Sequence, residues 1–166
     1  YDAESRHLVL LCENETGYRN LCRLVSSAFL EGFYIKPRID QELLRQHSEG
    51  LIALSACLAG EIPRLILGSN YEGAKQYALE MAELFGPDRF YLEIQDHGIP
   101  DQREAARGIL RLHQETGIPL VVTNDAHYLT REDAVMQDTL MCIQMGKTVD
   151  DPGRMKFETQ EFYIKS

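Results

Sequence analysis

Phe90-Tyr91-Leu92-Glu93-Ile94 is followed by the polar turn Gln95-Asp96-His97-Gly98, then by a helical pattern from about Gln102 to Thr116 that Gly117 stops. Leu120-Val121-Val122-Thr123 comes next, with Pro119 tolerable at the first edge of a strand. A short run of branched and aromatic residues, a turn, a 3.6-period stretch and a second short run make a strand–helix–strand unit.

The order repeats outward from this unit. Upstream, Leu51-Ile52-Ala53-Leu54 reads as a strand, with helices near Glu61–Leu67 and Tyr71–Phe85 behind it. Further upstream, His7-Leu8-Val9-Leu10-Leu11-Cys12 reads as a buried strand. The helix after it starts at about Thr16, carries Leu21, Leu24, Val25 and Ala28 on one face, and closes at Gly32. Pro37 forbids helix in the connector, and Asp40 is a good N-cap for a short helix through His47. Downstream, a helix over about Arg131–Gln144 leads to a polar tail that contains Glu161-Phe162-Tyr163-Ile164. Strands alternating with helices predict an α/β fold of parallel units. Four such units are too few for a closed barrel of ~250 residues, leaving an open doubly wound sheet or part of a barrel.

The chain has 166 residues, 44% of them hydrophobic and 26% charged, which suits one globular domain with a real core. No apolar run approaches the ~20 residues of a membrane-spanning helix, so no membrane partner is expected. The opening Tyr1-Asp2-Ala3-Glu4-Ser5-Arg6 has neither an initiator Met nor a secretory apolar region, and is read as the start of a piece of something longer. A net charge of −9 argues against holding DNA by phosphate neutralisation. It leaves open a carboxylate-rich cleft whose cations meet the phosphate. Cys12, Cys22, Cys57 and Cys142 form no CxxC pair. The first two and Cys142 read as small buried hydrophobes in a reduced, cytoplasmic setting.

In parallel α/β folds the site lies at the carboxyl ends of the strands. Those ends carry Ser55-Ala56-Cys57, Gln95-Asp96-His97-Gly98 and Asn124-Asp125-Ala126-His127-Tyr128. Asp125 and His127, two residues apart at a strand end, can face one cation with a carboxylate and an imidazole. The competing reading is a turn in which Asp125 caps backbone amides. Cys57 is either a soft ligand as its thiolate or a small buried residue. His97 lies in a loop that reads as polar surface, and is a weak candidate for touching substrate or leaving group. His47 and His113 read as solvated helix residues. No Walker A, GxGxxG, GxSxG or HExxH pattern occurs.

Several longer blocks share a pattern with one family. They are His7-Leu8-Val9-Leu10-Leu11, Gly17-Tyr18-Arg19-Asn20-Leu21, Gly32-Phe33-Tyr34-Ile35-Lys36-Pro37-Arg38-Ile39-Asp40, Glu49-Gly50-Leu51-Ile52-Ala53-Leu54-Ser55-Ala56-Cys57-Leu58, Gln95-Asp96-His97-Gly98-Ile99-Pro100, Thr123-Asn124-Asp125-Ala126-His127-Tyr128 and Lys147-Thr148-Val149-Asp150-Asp151-Pro152. In this order they resemble the amino-terminal PHP (polymerase and histidinol phosphatase) domain of the bacterial replicative DNA polymerase alpha subunit. The resemblance implies part of a distorted (β/α)7 barrel with its first strands missing. On it, residues 1–145 are a partial PHP domain and residues 146–166 a lead-out toward polymerase domains. It implies divalent metal ions, zinc or manganese, held by His7, Cys57, Asp125 and His127. Magnesium would serve polymerase domains outside this chain. The family's first motif, a His-x-His, is absent, so weak or absent metal binding by this chain is expected.

The implied activity is metal-dependent phosphoester hydrolysis of the 3′→5′ exonuclease type, in a parent that is a DNA-directed DNA polymerase. The alternative is a non-catalytic domain that braces the polymerase core or docks a proofreading subunit. A free-standing phosphatase related to histidinol phosphatase ranks third. The implied partners are DNA, through the full-length protein, and other replicase subunits. An open sheet edge is an association hazard, so self-association is also expected.

Overall fold

The structure is a computed structural model and describes residues 5–165. The outermost ends of the two expected segments, residues 1–4 and 166, lie outside the described residues. Four strands, β1 (Val9–Cys12), β2 (Leu51–Leu54), β3 (Phe90–Ile94) and β4 (Leu120–Val122), form one sheet in chain order. The helices are α1 (Glu15–Leu30), α2 (Gln41–Gln46), α3 (Glu61–Leu67), α4 (Tyr71–Phe85), α5 (Pro100–Thr116) and α6 (Ala134–Met145).

Three strands are parallel, as alternation predicts, and the first is not. β2 pairs with β3 and β3 with β4 in parallel, whereas β1 runs antiparallel to β2 with Val9 opposite Leu54 and Cys12 opposite Leu51. The connection sets this direction. The chain leaves β1 through α1, returns through α2, and re-enters the sheet beside the end of β1. There Glu13 N–H donates to Gly50 O at 2.9 Å. Gly17 of α1 sits against the same carbonyl, so closely that a Cβ on Gly17 would stand 1.8 Å from Gly50 O. Gly50 itself has φ +71°, a conformation glycine adopts without strain.

β1 is also not the buried strand that its apolar run suggests. Val9, Leu11 and Cys12 are exposed, because β1 is an edge strand covered on one face only. Cys22 faces solvent from α1, and only Cys142 is buried as expected. His7 precedes β1 and forms a single parallel bridge to Gly60.

The core lies between the sheet and α3, α4 and α5. Leu51, Ala53, Phe90 and Leu92 of the strands meet Ile62, Ala74, Ala78, Met81, Ile109 and Leu112 of the helices. Helix ends follow their local chemistry. The side chains of Asn14, Asp40 and Asn70 each accept a backbone N–H three residues on. Pro100 occupies the first turn of α5, and Gly117 closes that helix at φ +73°. The last helix is preceded by a 3₁₀ turn at Arg131–Asp133, where Thr130 and Asp133 form a capping box. His47 and His113, expected in solvent, are half-buried. The ring of His113 is tied to Ile118 O at 2.8 Å.

One ion cluster staples α4 to α5. Glu115 accepts from Lys75 Nζ at 2.8 Å and from Arg111 Nε at 2.7 Å. The hydrogen bond from Lys75, then that from Arg111, hold its carboxyl at about 2, below the ordinary 4.5. A folded-state value depressed in this way gives stability that is present above the unfolded value and lost as pH falls. The stability of the chain is therefore expected to decline between about pH 4.5 and pH 2, and Glu115→Gln to flatten that decline. Urea midpoints measured across this range test it. Equal slopes for both proteins would remove Glu115 as a cause.

Candidate functional site

The carboxyl ends of β2, β3 and β4 lie side by side, because the three strands are parallel neighbours. Each end continues into a turn with chemistry-bearing residues.

After β2 the chain turns through Ser55, Ala56 and Cys57. Ala56 sits at φ +65°, a left-handed conformation that costs a non-glycine residue of the order of 1–2 kcal/mol. Its N–H donates to the buried carboxylate of Glu93 at 3.0 Å. Ser55 Oγ accepts from Glu93 N–H at 2.8 Å, so the β2 turn and β3 hold each other through two hydrogen bonds. The turn presents Cys57 Sγ 3.5 Å from His7 Nδ1. His7 thus reaches the site from outside β1, carried by the bridge to Gly60 and by its own N–H donating to Ala59 O at 3.1 Å.

After β4 the chain passes through Asn124 to Asp125, which lies at φ +42°. Asp125 Oδ1 and His127 Nε2 are 3.5 Å apart, and both side chains are open to solvent. Sequence spacing placed this carboxylate and imidazole together, and the structure does so. His127 packs on Phe157 with ring centroids 4.8 Å apart and meets Phe162 edge-on at 5.8 Å.

His97, after β3, is not on a polar surface loop. Its side chain is 0% exposed. Gln102 Nε2 donates to Nδ1 at 2.7 Å, and Nε2 donates to Asn124 O at 2.7 Å. Its ring stacks on Phe162 at 3.9 Å and 16°. Both ring nitrogens are engaged inside the protein, so the ring that read as a candidate substrate contact faces protein on all sides. The partner that buries it lies far along the chain, in the tail, and local sequence carries no sign of it.

Glu93 was not among the expected site residues, although a carboxylate inside the apolar run Phe90–Ile94 was a visible signal. It is 4% exposed. Besides Ala56 N–H, it accepts from Gln95 Nε2 at 3.0 Å and from Thr123 Oγ1. Glu93 thereby links the ends of β2, β3 and β4. Gln95 is nearly as buried, and its Oε1 has no partner among the described residues. With Cys57, Glu93 and Gln102 it lines a hollow between the strand ends and α5.

The tail folds back over these turns. Phe162 is 5% exposed, and its carbonyl accepts from the N–H groups of His127 at 2.8 Å and Tyr128 at 3.3 Å. Thr159 Oγ1 donates to His97 O at 2.7 Å, and Asn124 Nδ2 donates to Tyr163 O.

The expected ligands therefore occur as two pairs, a thiol with an imidazole and a carboxylate with an imidazole. Both donor sets fit a borderline divalent cation such as zinc. Among the described residues, no group of three or more His, Cys, Asp or Glu is gathered so as to hold a metal. Each pair supplies half of a tetrahedral ligand set.

Comparison with known proteins gives consistent matches. A family profile described as PHP domain matches residues 1–97, a span that includes His7, Cys57 and His97 and stops short of Asp125 and His127. The chain is 52% identical over 160 residues to the DNA polymerase III subunit alpha of Treponema pallidum (strain Nichols), covering 96% of this chain and 14% of that protein. Identity to the subunit of the same name from Borreliella burgdorferi is 51% over 162 residues, 98% of this chain and 14% of the relative. For Thermus aquaticus it is 48% over 160 residues, 96% and 13%. The chain thus spans about 14% of the length of the curated relatives that it matches.

Proposed function

Because the chain belongs to the PHP domain family and is homologous to part of bacterial DNA polymerase III alpha subunits, we propose that it supplies one side of a divalent-metal phosphoesterase centre, of 3′→5′ exonuclease type, to a DNA-replicating polymerase. The observation that carries this reading is the pairing of Cys57 with His7 after β2 and of Asp125 with His127 after β4, the two parallel strands that flank β3.

In this reading the mixed sheet is a segment of a (β/α)7 barrel, and residues 146–166 lead out of the domain. The working setting is cytoplasmic. The partners are DNA and other replicase subunits, met through the whole polymerase. No helix among the described residues is long and apolar enough to cross a membrane.

His7, Cys57, Asp125 and His127 would hold zinc or manganese; magnesium belongs to polymerase domains beyond this chain. Bound divalent cations supply charge neutralisation at phosphate and activation of water for phosphodiester hydrolysis. The protein's own residues do the rest. The net charge of −9 favours cations near the protein, and Asp125 supplies the carboxylate among the four residues. The Glu93 network fixes the turn that aims Cys57, and the rings of Phe157 and Phe162 pack against His127.

Calorimetric titration with zinc tests the assignment. Weak binding is expected, lowered about tenfold or more by Asp125→Ala or Cys57→Ser, since each removes a direct ligand. Binding that neither substitution changes would remove these residues from the metal's ligands. A second reading, a bracing or docking domain, draws on the exposed apolar face of α6, where Val135, Met136, Leu140 and Ile143 are all largely open. No zinc binding by the whole polymerase proposed above would favour it.

A further inference from the structure

Two ligand-bearing turns leave the sheet through left-handed non-glycine residues, Ala56 beside Cys57 and Asp125 itself. Such conformations cost Ala more than Asp, whose short polar side chain tolerates them, and both turns are held by hydrogen bonds with buried groups. For the first turn the restraint is the Glu93 carboxylate on Ala56 N–H. For the second, the corresponding buried group is His97, which donates to the carbonyl of Asn124 immediately before Asp125.

We infer that His97 is the positioning residue of the Asn124–Tyr128 turn, and through it of the Asp125–His127 pair. The inference rests on the metal-site reading for its functional meaning, and on geometry alone for the restraint. A carbonyl only accepts, so Nε2 must carry the ring proton. Nδ1 must then accept, and Gln102 supplies the donor. Gln102 cannot turn its amide over, because its Oε1 already accepts from His97 N–H at 2.8 Å. One glutamine therefore reads both the backbone and the ring of His97 and fixes a neutral tautomer. The aromatic face of Phe162 and the hydroxyl of Thr159, on His97 O, hold the ring from the tail side. The same tail segment receives the N–H groups of His127 and Tyr128 on Phe162 O. His97 is thus the buried hub between α5, the tail and the ligand turn. This is the arrangement in which an outer group orients a metal-holding loop.

The test compares His97→Phe, which keeps a stacking ring and loses the donor, with His97→Gln, whose Nε2 can still reach Asn124 O. Amide hydrogen exchange is read without metal. In His97→Phe, exchange at His127 and Tyr128 is expected to rise about tenfold, the loss of one buried hydrogen bond, while Leu92 in the core stays unchanged. His97→Gln recovers most of that protection. Nitrogen NMR of the unaltered chain should show Nε2 protonated and Nδ1 bare. Unchanged exchange at His127 in His97→Phe, or a ring protonated on Nδ1 alone, overturns the inference. Zinc titration separates this outcome from failure of the metal reading. If Asp125→Ala weakens zinc binding, His97→Phe is expected to weaken it about 10–100-fold, with partial rescue in His97→Gln. If Asp125→Ala weakens it and His97→Phe does not, positioning by His97 is wrong. If Asp125→Ala has no effect, the metal reading is what fails, and exchange alone decides the role of His97.

Discussion

Gly17→Ala is expected to destabilise the chain by at least about 3 kcal/mol, the upper end of what overpacking usually costs. The added Cβ would stand 1.8 Å from Gly50 O and 2.5 Å from Gly50 C, both backbone atoms. A side chain could swing away; this carbonyl cannot, since it also accepts Glu13 N–H and begins the strand paired with β1. α1 would have to retreat from β2, and Leu24, buried at 2% exposure on that helix, would retreat with it. Gly86→Ala is the control. Gly86 has φ +83° and ψ −176°, a region nearly reserved for glycine, and nothing within 4 Å of an added Cβ, so that substitution carries only conformational strain of about 1–3 kcal/mol. Urea unfolding of the two variants separates contact from strain. A Gly17→Ala protein as stable as Gly86→Ala would mean that α1 and β2 are looser than their geometry.

Phe162→Ala is expected to act as strongly but locally. Truncating a buried phenylalanine costs about 3–5 kcal/mol. Here the ring stacks on His97 at 3.9 Å and meets Phe157 at 4.5 Å. Most of the residues that Phe162 anchors belong to the tail and the Asn124–Tyr128 turn, and the core of β2, β3 and α3–α5 does not depend on it. The loss should therefore appear as opening of a sub-region before global unfolding. Limited chymotrypsin digestion would then cut Phe162→Ala near Phe157 or Tyr163 while residues up to α5 stay intact. Cleavage spread evenly over the chain, or none beyond that of the unaltered protein, would contradict a locally held tail.

The sequence was most legible where a pattern is local. The runs Leu51–Leu54 and Phe90–Ile94 are the central strands as read. Asp40 caps α2, and Gly117 ends α5, because capping is decided within one turn. The direction of β1 was not legible, since an apolar run carries no mark of which way its neighbour points. The exposure of Cys12 and Cys22 followed from that edge position and from the face of α1 turned to solvent. In the site, the closeness of Asp125 and His127 was legible from their spacing just after a strand, although the turn at Asp125, φ +42°, and not strand alternation brings them together. His7 reaching Cys57 was implied only by family resemblance, as 50 residues separate them. The burial of His97 was invisible for the same reason of distance. Glu93 could have been found, as the one carboxylate in a strand run otherwise apolar or aromatic.

The tail that closes the site also sets when the site can form. Thr159 reaches His97 across 62 residues of chain, and Asn124 reaches Tyr163 across 39. Contacts of such separation wait on loop closure, whereas the α3–α4–α5 helices can pack on β3 with nearer neighbours. During synthesis from the amino end, Cys57 and His7 can meet long before Phe162 has been made. The Cys57–His7 and Asp125–His127 pairs are therefore completed in sequence. The Asp125–His127 turn takes its final shape last, and premature termination near residue 150 would yield a folded sheet with that turn unmade.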